Sequence, residues 1–246
     1  MDQVEIKNEE ANEELTRFIE AGIHVGHPKR KRHPQMRQFI YGTRNNIEII
    51  DVVKTKEQLE VASEFLRKIA QAKGTVLFVG TRPGIRERVQ KAAEELGMPF
   101  ITTRWVGGML TNLSVISKRI KDMEELRRIM STGEIDKFPK KERLRKEREL
   151  RKFQKLYGWV RTISQLPQAL VIFDVAHEDV ATEESNKVGI PTIGIVDTDA
   201  NPTKVTYAIP ANDDALSSVD FILERLKEAF KQGREEVQTE ENVDIK

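Results

Sequence analysis

Four groupings of side chains in this sequence have types and spacings suited to chemistry. Asp197-Thr198-Asp199 follows a β-prone apolar run, where a phosphatase with an aspartyl nucleophile would hold such a pair. His24 and His27, three positions apart, together with Asp197 and Asp213, offer nitrogen and oxygen donors to a divalent metal ion if their loops converge. The same residues can equally brace a loop. Gly80-Thr81-Arg82-Pro83-Gly84 lies between an apolar run and a helical pattern, so its turn can cradle an anion at a helix N-terminus. It has neither G-x-G-x-x-G nor a Walker Lys-Ser/Thr pair, which argues against a mononucleotide site. Arg104-Trp105 sets a cation beside a flat aromatic ring, suited to phosphate contact plus base or sugar stacking, although Trp105 can instead fill the core.

Charge points more firmly in one direction. The 246 residues carry a net charge of only +1, but that charge is sorted along the chain. Ala21 to Ile47 holds six basic residues (Lys29, Arg30, Lys31, Arg32, Arg37 and Arg44) and no Asp or Glu. Lys137 to Lys155 holds ten Lys/Arg against three Glu, whereas Gln168 to Lys246 holds 17 Asp/Glu against seven Lys/Arg. Such polarity suits one face on a polyanion and another turned to solvent or to a basic partner, with simple solvation as the plainer reading of any single run. Cysteine is absent, which excludes disulfides, thiolate nucleophiles and Cys-based zinc sites, and agrees with a reducing cytosol. No apolar run approaches the ~18 residues of a membrane span, and the acidic N-terminus lacks the marks of a signal peptide. A soluble, cytoplasmic protein is expected.

The elements that must position these residues alternate. Phe39-Ile40-Tyr41 and Ile47 to Asp51 read as strands around the turn Gly42 to Asn46, a hairpin whose second strand is expected to enter the main sheet. Thr55 is expected to cap a helix to about Gln71, and Thr75 to Val79 reads as a strand buried on both faces. A helix from Ile85 to Leu96, closed by Gly97, leads to the strand Phe100-Ile101-Thr102. The cadence returns with strands at 169–173, 191–196 and 207–209 and helices at about 178–188 and 213–231. This alternation predicts a parallel sheet in α/β/α layers.

Between the halves, Leu113, Ile116, Ile120, Met123, Leu126 and Met130 recur at helical spacing, as do Leu144, Leu150, Phe153, Leu156, Val160 and Ile163. Separated by Ser131-Thr132-Gly133, they predict an antiparallel helical hairpin of loosely heptadic pattern. The expected organisation is a discontinuous α/β/α domain (15–112 and 165–231), an inserted hairpin (113–164), and flexible acidic tails (1–14 and 232–246).

The order of motifs resembles the bacterial small-subunit ribosomal protein family S-two. The resemblance rests on Glu20 to His27, Asn45 to Asp51, Leu77 to Thr81, Arg104-Trp105-Val106-Gly107-Gly108-Met109-Leu110-Thr111-Asn112, Ile195 to Asp199 and Ile209 to Ala215. They run collinearly across about residues 15–230, the Arg-Trp block being the specific one. The resemblance implies a three-layer flavodoxin-like parallel sheet of about five strands with an inserted coiled-coil hairpin. It also implies a non-enzymatic, ribosome-bound role. In that role the protein binds small-subunit rRNA between head and body, contacts other small-subunit proteins, and helps seat the large S-one protein near the mRNA exit. Arg32-His33 departs from the family's usual Trp-Asn, Arg82-Pro83-Gly84 from its Lys-rich pair, and Tyr157-Gly158 from its Gly-Gly. These changes keep or add positive charge and put individual contacts in doubt.

The expected rRNA contacts are therefore Lys29, Arg30, Lys31, Arg32 and Arg37 in a loop with reach, and Lys140, Lys141, Arg143, Arg145, Lys146 and Arg148 on the hairpin. Arg44, Arg82, Arg86, Arg104 and Trp105 complete the set. No cofactor beyond the candidate metal, no small-molecule substrate and no membrane are expected. The acidic 168–246 segment either docks a protein partner or keeps the chain soluble. The alternative, a phosphatase using Asp197 and Asp199, lacks support: fewer than 50 residues follow Asp199, position 201 is Asn, and no partner Lys with a second acidic pair follows.

Overall fold

In the computed structural model, which describes residues 13–157 and 166–244, the chain enters through a short helix, α1 (residues 13–20), and then forms a small antiparallel sheet. Its strands are β1 (Val25–Pro28), β2 (Ile40–Arg44) and β3 (Ile47–Ile50), in the order β1-β3-β2. Asn45 and Asn46, at φ 50° and 64°, form the two-residue turn between β2 and β3, a left-handed conformation that Asn tolerates. The turn is thus tighter than the Gly42 to Asn46 expected. Nor does β3 enter the main sheet: it is paired on one side by β1 and on the other by β2, so neither edge is free.

The main sheet is wholly parallel. β4 (Val76–Val79), β5 (Phe100–Ile101), β6 (Ala169–Ile172), β7 (Thr192–Val196) and β8 (Tyr207–Pro210) run in the order β5-β4-β6-β7-β8, the flavodoxin-like arrangement. Every residue of β4, β6 and β7 is buried, because alternate side chains enter opposite layers. Phe78, Val171 and Ile195 face one layer; Val79, Leu170 and Val196 face the other.

The remaining helices are α2 (Val52–Gln71), α3 (Arg86–Leu96), α4 (Leu113–Ser131), α5 (Lys140–Tyr157), α6 (Asp179–Val188) and α7 (Leu216–Asp244). Phe18, Leu66, Val89, Leu226 and Phe230 place α1, α2, α3 and α7 in the first layer. Ile116, Met123, Leu150, Phe153 and Ala181 place α4, α5 and α6 in the second. α4 and α5 pack on each other across a turn at Gly133 (φ 74°). The apolar stripe expected beyond them, through Val160 and Ile163, lies outside the described residues, as do residues 1–12 and 245–246. Among the described residues no helix is long and apolar enough to cross a membrane.

Three boundaries differ from expectation. Asp51 caps α2 by accepting from the Val53 N–H at 3.1 Å, while Thr55, a turn inside, is buried and donates its hydroxyl to Pro210 O at 2.6 Å. α7 runs past Lys231 into the segment read as a flexible tail. Arg234 donates to Leu96 O at 2.6 Å and Arg67 to Glu236 at 2.9 Å, and Gly233 allows the close approach, since a Cβ there would lie 2.4 Å from Arg67 O. At the other end Glu14, also read as tail, is helical and pairs with Lys56 at 2.6 Å and with Arg225.

Candidate nucleic-acid interface

Open parallel sheets bind ligands at the carboxyl ends of their strands, where the strand order reverses. Here that crevice is occupied by the protein's own charges. Arg82, after β4, donates to Asp174 at 2.7 Å and Asp213 at 3.1 Å and also pairs with Asp214. His27, carried in on β1, lies 3.2 Å from Asp197, 3.5 Å from Asp214 and 3.7 Å from Asp199. The first of these is an ion-pair contact rather than a linear hydrogen bond. Burial first, then the neighbouring Asp174 and Asp197 carboxylates, push Asp213 up to about 8. The Asp197 carboxylate chiefly, against burial, raises His27 to about 9. Burial works against the Arg82 charge, but Asp214, Asp174 and Asp213 outweigh it and hold the guanidinium more firmly protonated than usual.

This network answers two sequence expectations. The phosphatase pair is engaged internally: Asp197 is buried, the Thr198 hydroxyl accepts from His27 N–H at 2.8 Å, and Thr198 O accepts from His33 N–H at 2.8 Å, while Asp199 is partly exposed. β1 lies so close on this segment that a Cβ on Gly26 would meet Thr198 Cγ2 at 2.4 Å. Nor are the four candidate metal ligands gathered. His24, in the turn that precedes β1, lines an apolar groove with Ile19, Tyr41 and Ile49, while His27, Asp197 and Asp213 meet at the crevice. Among the described residues no set of three or more His, Asp or Glu is arranged to hold a metal ion.

A pH dependence follows from His27. An unfolded histidine loses its proton near 6.5, whereas the folded one keeps it to about 9. The folded state therefore holds an extra proton between those values, and its stability falls as pH rises through that window. For this partly solvated group the loss is about 1–2 kcal/mol. Thermal unfolding across pH 6–9.5 is expected to show this decline in the native chain and a flatter profile in His27→Gln; parallel profiles would refute it.

The anion-cradling turn after β4 is filled from within: the Thr81 N–H donates to Glu178 Oε1 at 2.7 Å, and burial pushes that acid above the usual carboxylate range. A second internal carboxylate organises the Arg-Trp loop. Glu184 of α6 accepts from Gly108 N–H at 2.6 Å, Leu110 N–H at 3.0 Å, the Trp105 indole at 3.2 Å, and both the N–H and hydroxyl of Thr111 at 3.4 Å. Burial favours the neutral acid, but these donors outweigh it and hold Glu184 below the usual carboxylate range. Trp105 is thus buried with its N–H engaged, and does not offer its face to a base as expected. Neither Glu178 nor Glu184 was singled out from sequence. The available signal for Glu184 was its place three residues after Ala181 and one before Ser185 on the inward face of α6.

The cations divide into three sets. Arg32 pairs with the fully buried Glu48 at 3.1 Å, Arg82 is held as above, and Arg86 donates to Thr81 O at 2.5 Å, so these three brace the fold. Arg143 pairs with Asp136 at 2.6 Å, Arg145 with Glu142 at 3.8 Å, and the Lys146 ammonium sits 4.6 Å from the centre of the Phe138 ring. Lys29, Arg30, Lys31, Arg37, Arg44, Arg104, Lys140, Lys141 and Arg148 are exposed and have no ion-pair partner among the described residues. Lys29–Lys31, expected as a loop with reach, is a 3-10 turn pinned by Lys29 N–H to Asn46 O at 3.0 Å and Arg32 N–H to Lys29 O at 3.2 Å. Ile47 pairs with Pro28 on one side and Arg44 on the other, so Arg44 and the basic turn share one end of the small sheet.

A parallel α/β/α body whose crevice is lined by its own ion pairs, and whose exposed cations outside it have no ion-pair partner among the described residues, presents a surface suited to a polyanion. A sequence profile of the family described as ribosomal protein S2 matches residues 18–233, and the chain belongs to that family. It is 42% identical over 221 residues to the small ribosomal subunit protein uS2 of Coprothermobacter proteolyticus, covering 90% of this chain and 82% of the relative. The uS2 protein of Thermus thermophilus is 42% identical over 217 residues (88% and 85%), and that of Dictyoglomus turgidum 39% over 232 residues (94% and 94%).

Proposed function

We infer that this chain is moored to small-subunit rRNA by two outward-facing groups of cations, one at Lys29–Lys31 with Arg37 and Arg44, the other at Arg104 and α5. Membership of the family makes it a structural, ribosome-bound component of the translation machinery in the cytoplasm, with rRNA and other small-subunit proteins as its partners. The observation that carries this reading is the set of exposed cations without an ion-pair partner among the described residues, in a chain of net charge +1. A phosphate backbone rewards such cations by releasing its condensed counterions.

The finer placing, between head and body with S-one seated near the mRNA exit, follows the family resemblance. A protein partner is supported less by the acidic segment than by a compact apolar patch: Ile19 is 50% exposed, Tyr41 81% and Val53 48%, around a groove of about 260 Å³. The test is co-sedimentation of tagged protein with small subunits, followed by rRNA cross-linking. Cross-links are expected at Lys29–Lys31 and Lys140–Lys141, and Tyr41→Ala is expected to deplete S-one from the subunits while rRNA binding persists. Cross-links confined to α7, or S-one retained at native levels, would overturn the respective halves of this reading.

A further inference from the structure

We propose that Glu184 is the positioning residue for the basic helix pair, fixing through loop 104–112 the direction in which Arg104, α4 and α5 leave the sheet. Its functional consequence rests on the rRNA reading above. Among the described residues the loop closes on itself only through Met109 N–H to Val106 O and Asn112 N–H to Gly108 O, and Asn112, at the start of α4, gives that helix no side-chain cap. Trp105, Met109 and Leu110 anchor it in the core, and its polar tie to the rest of the chain is one carboxylate from a helix more than 70 residues further along, on which Trp105, Gly108, Leu110 and Thr111 converge.

Because those donors meet at one point, the backbone cannot swing without breaking several bonds together. The carboxylate also lies just ahead of the α4 N-terminus, the end of a helix where negative charge is favourable. α4 begins two residues after Thr111 and runs for 19 residues, a lever of about 28 Å at ~1.5 Å per residue. A loop rotation of about 10° would therefore carry its far end about 5 Å, enough to take a cation out of reach of its phosphate. Held at a fixed angle, the cations of α5 meet rRNA without first having to be ordered.

The chain has no cysteine, so spin labels can be placed cleanly at Glu87→Cys on α3 and Ser131→Cys at the end of α4, both exposed. Dipolar spectroscopy is expected to give one narrow distance distribution for the labelled full-length chain. Glu184→Gln, whose amide hydrogens oppose the converging N–H groups, is expected to broaden it by several ångströms. It should also lower rRNA affinity about tenfold, with a shallower salt dependence. Trp105→Phe, which removes a single donor, should broaden it less, and serves if Glu184→Gln does not fold. Ile222→Val, a mild core change in the other layer, should leave both readouts unchanged. A narrow distribution in both loop variants, or a broad one with native rRNA affinity, overturns the proposal. If the labelled native chain itself fails to bind rRNA, the rRNA reading falls, while the distances still decide whether Glu184 sets the helix direction.

Discussion

Arg82→Met is expected to destabilise the fold by about 3–5 kcal/mol at neutral pH, the loss typical of removing one partner from a buried ionic cluster. Methionine matches the length of the arginine stem but leaves Asp174 and Asp213, both buried, without their guanidinium, while the more exposed Asp214 keeps His27 at 3.5 Å. Replacing a whole ionic cluster with apolar side chains can be neutral, but removing only the cation leaves buried acids that must either stay charged without a counter-ion or take up protons. The deficit should depend on pH. Asp213 is already pushed up to about 8 with Arg82 present, by burial and then by Asp174 and Asp197. An acid whose folded pKa is raised supports the fold while protonated and costs stability as pH climbs from about 4 through its folded value. Without Arg82 the folded Asp213 is held protonated still further, so thermal unfolding of Arg82→Met should lie below the native curve at pH 6 and further below it at pH 9, the gap widening as pH rises through about 8. A deficit below 1 kcal/mol, or one equal at both pH values, would show that the cluster does not depend on this guanidinium.

The second large effect is on binding rather than folding. Lys29→Glu, Arg30→Glu and Lys31→Glu together should weaken rRNA binding about 100- to 1000-fold near 0.1 M salt and reduce the slope of log affinity against log salt by about two to three. The fold should be untouched, since the turn is held by backbone groups and no side chain in it takes part in an ion pair among the described residues. Reversal of Arg32 in the same experiment would mislead, because its guanidinium holds the buried Glu48 carboxylate, which also accepts from the Thr43 hydroxyl at 2.9 Å. Binding measured across a salt series decides the matter: native affinity and slope in the triple variant would mean that the basic turn faces away from RNA.

These two predictions also mark how far the sequence could be read. The layered parallel sheet was legible because Val76–Val79 and Ala169–Ile172 are continuous apolar runs, which only burial on both faces accommodates. Gly97 and Gly189, at φ 64° and 76°, close α3 and α6 where glycine's freedom is needed. The small sheet was half legible. Its hairpin could be read, but the pairing of β1 with β3 depends on a hydrogen-bonding edge that no residue pattern announces. Trp105 shows the limit most clearly: its neighbour Arg104 is exposed as expected, while the ring itself is committed to a carboxylate 79 positions away.

Local periodicity and the sorting of charge are properties of neighbours along the chain, so the sequence alone determined the layers, the helical insertion and the presence of surplus cations. Whether a given cation is surplus depends on what lies within a few ångströms of it, and that is set by strand ends brought together from distant positions. Only the tertiary structure could separate Arg32, Arg82 and Arg86, spent on internal partners, from Lys29–Lys31, Arg44 and Arg104, which are exposed and have no ion-pair partner among the described residues.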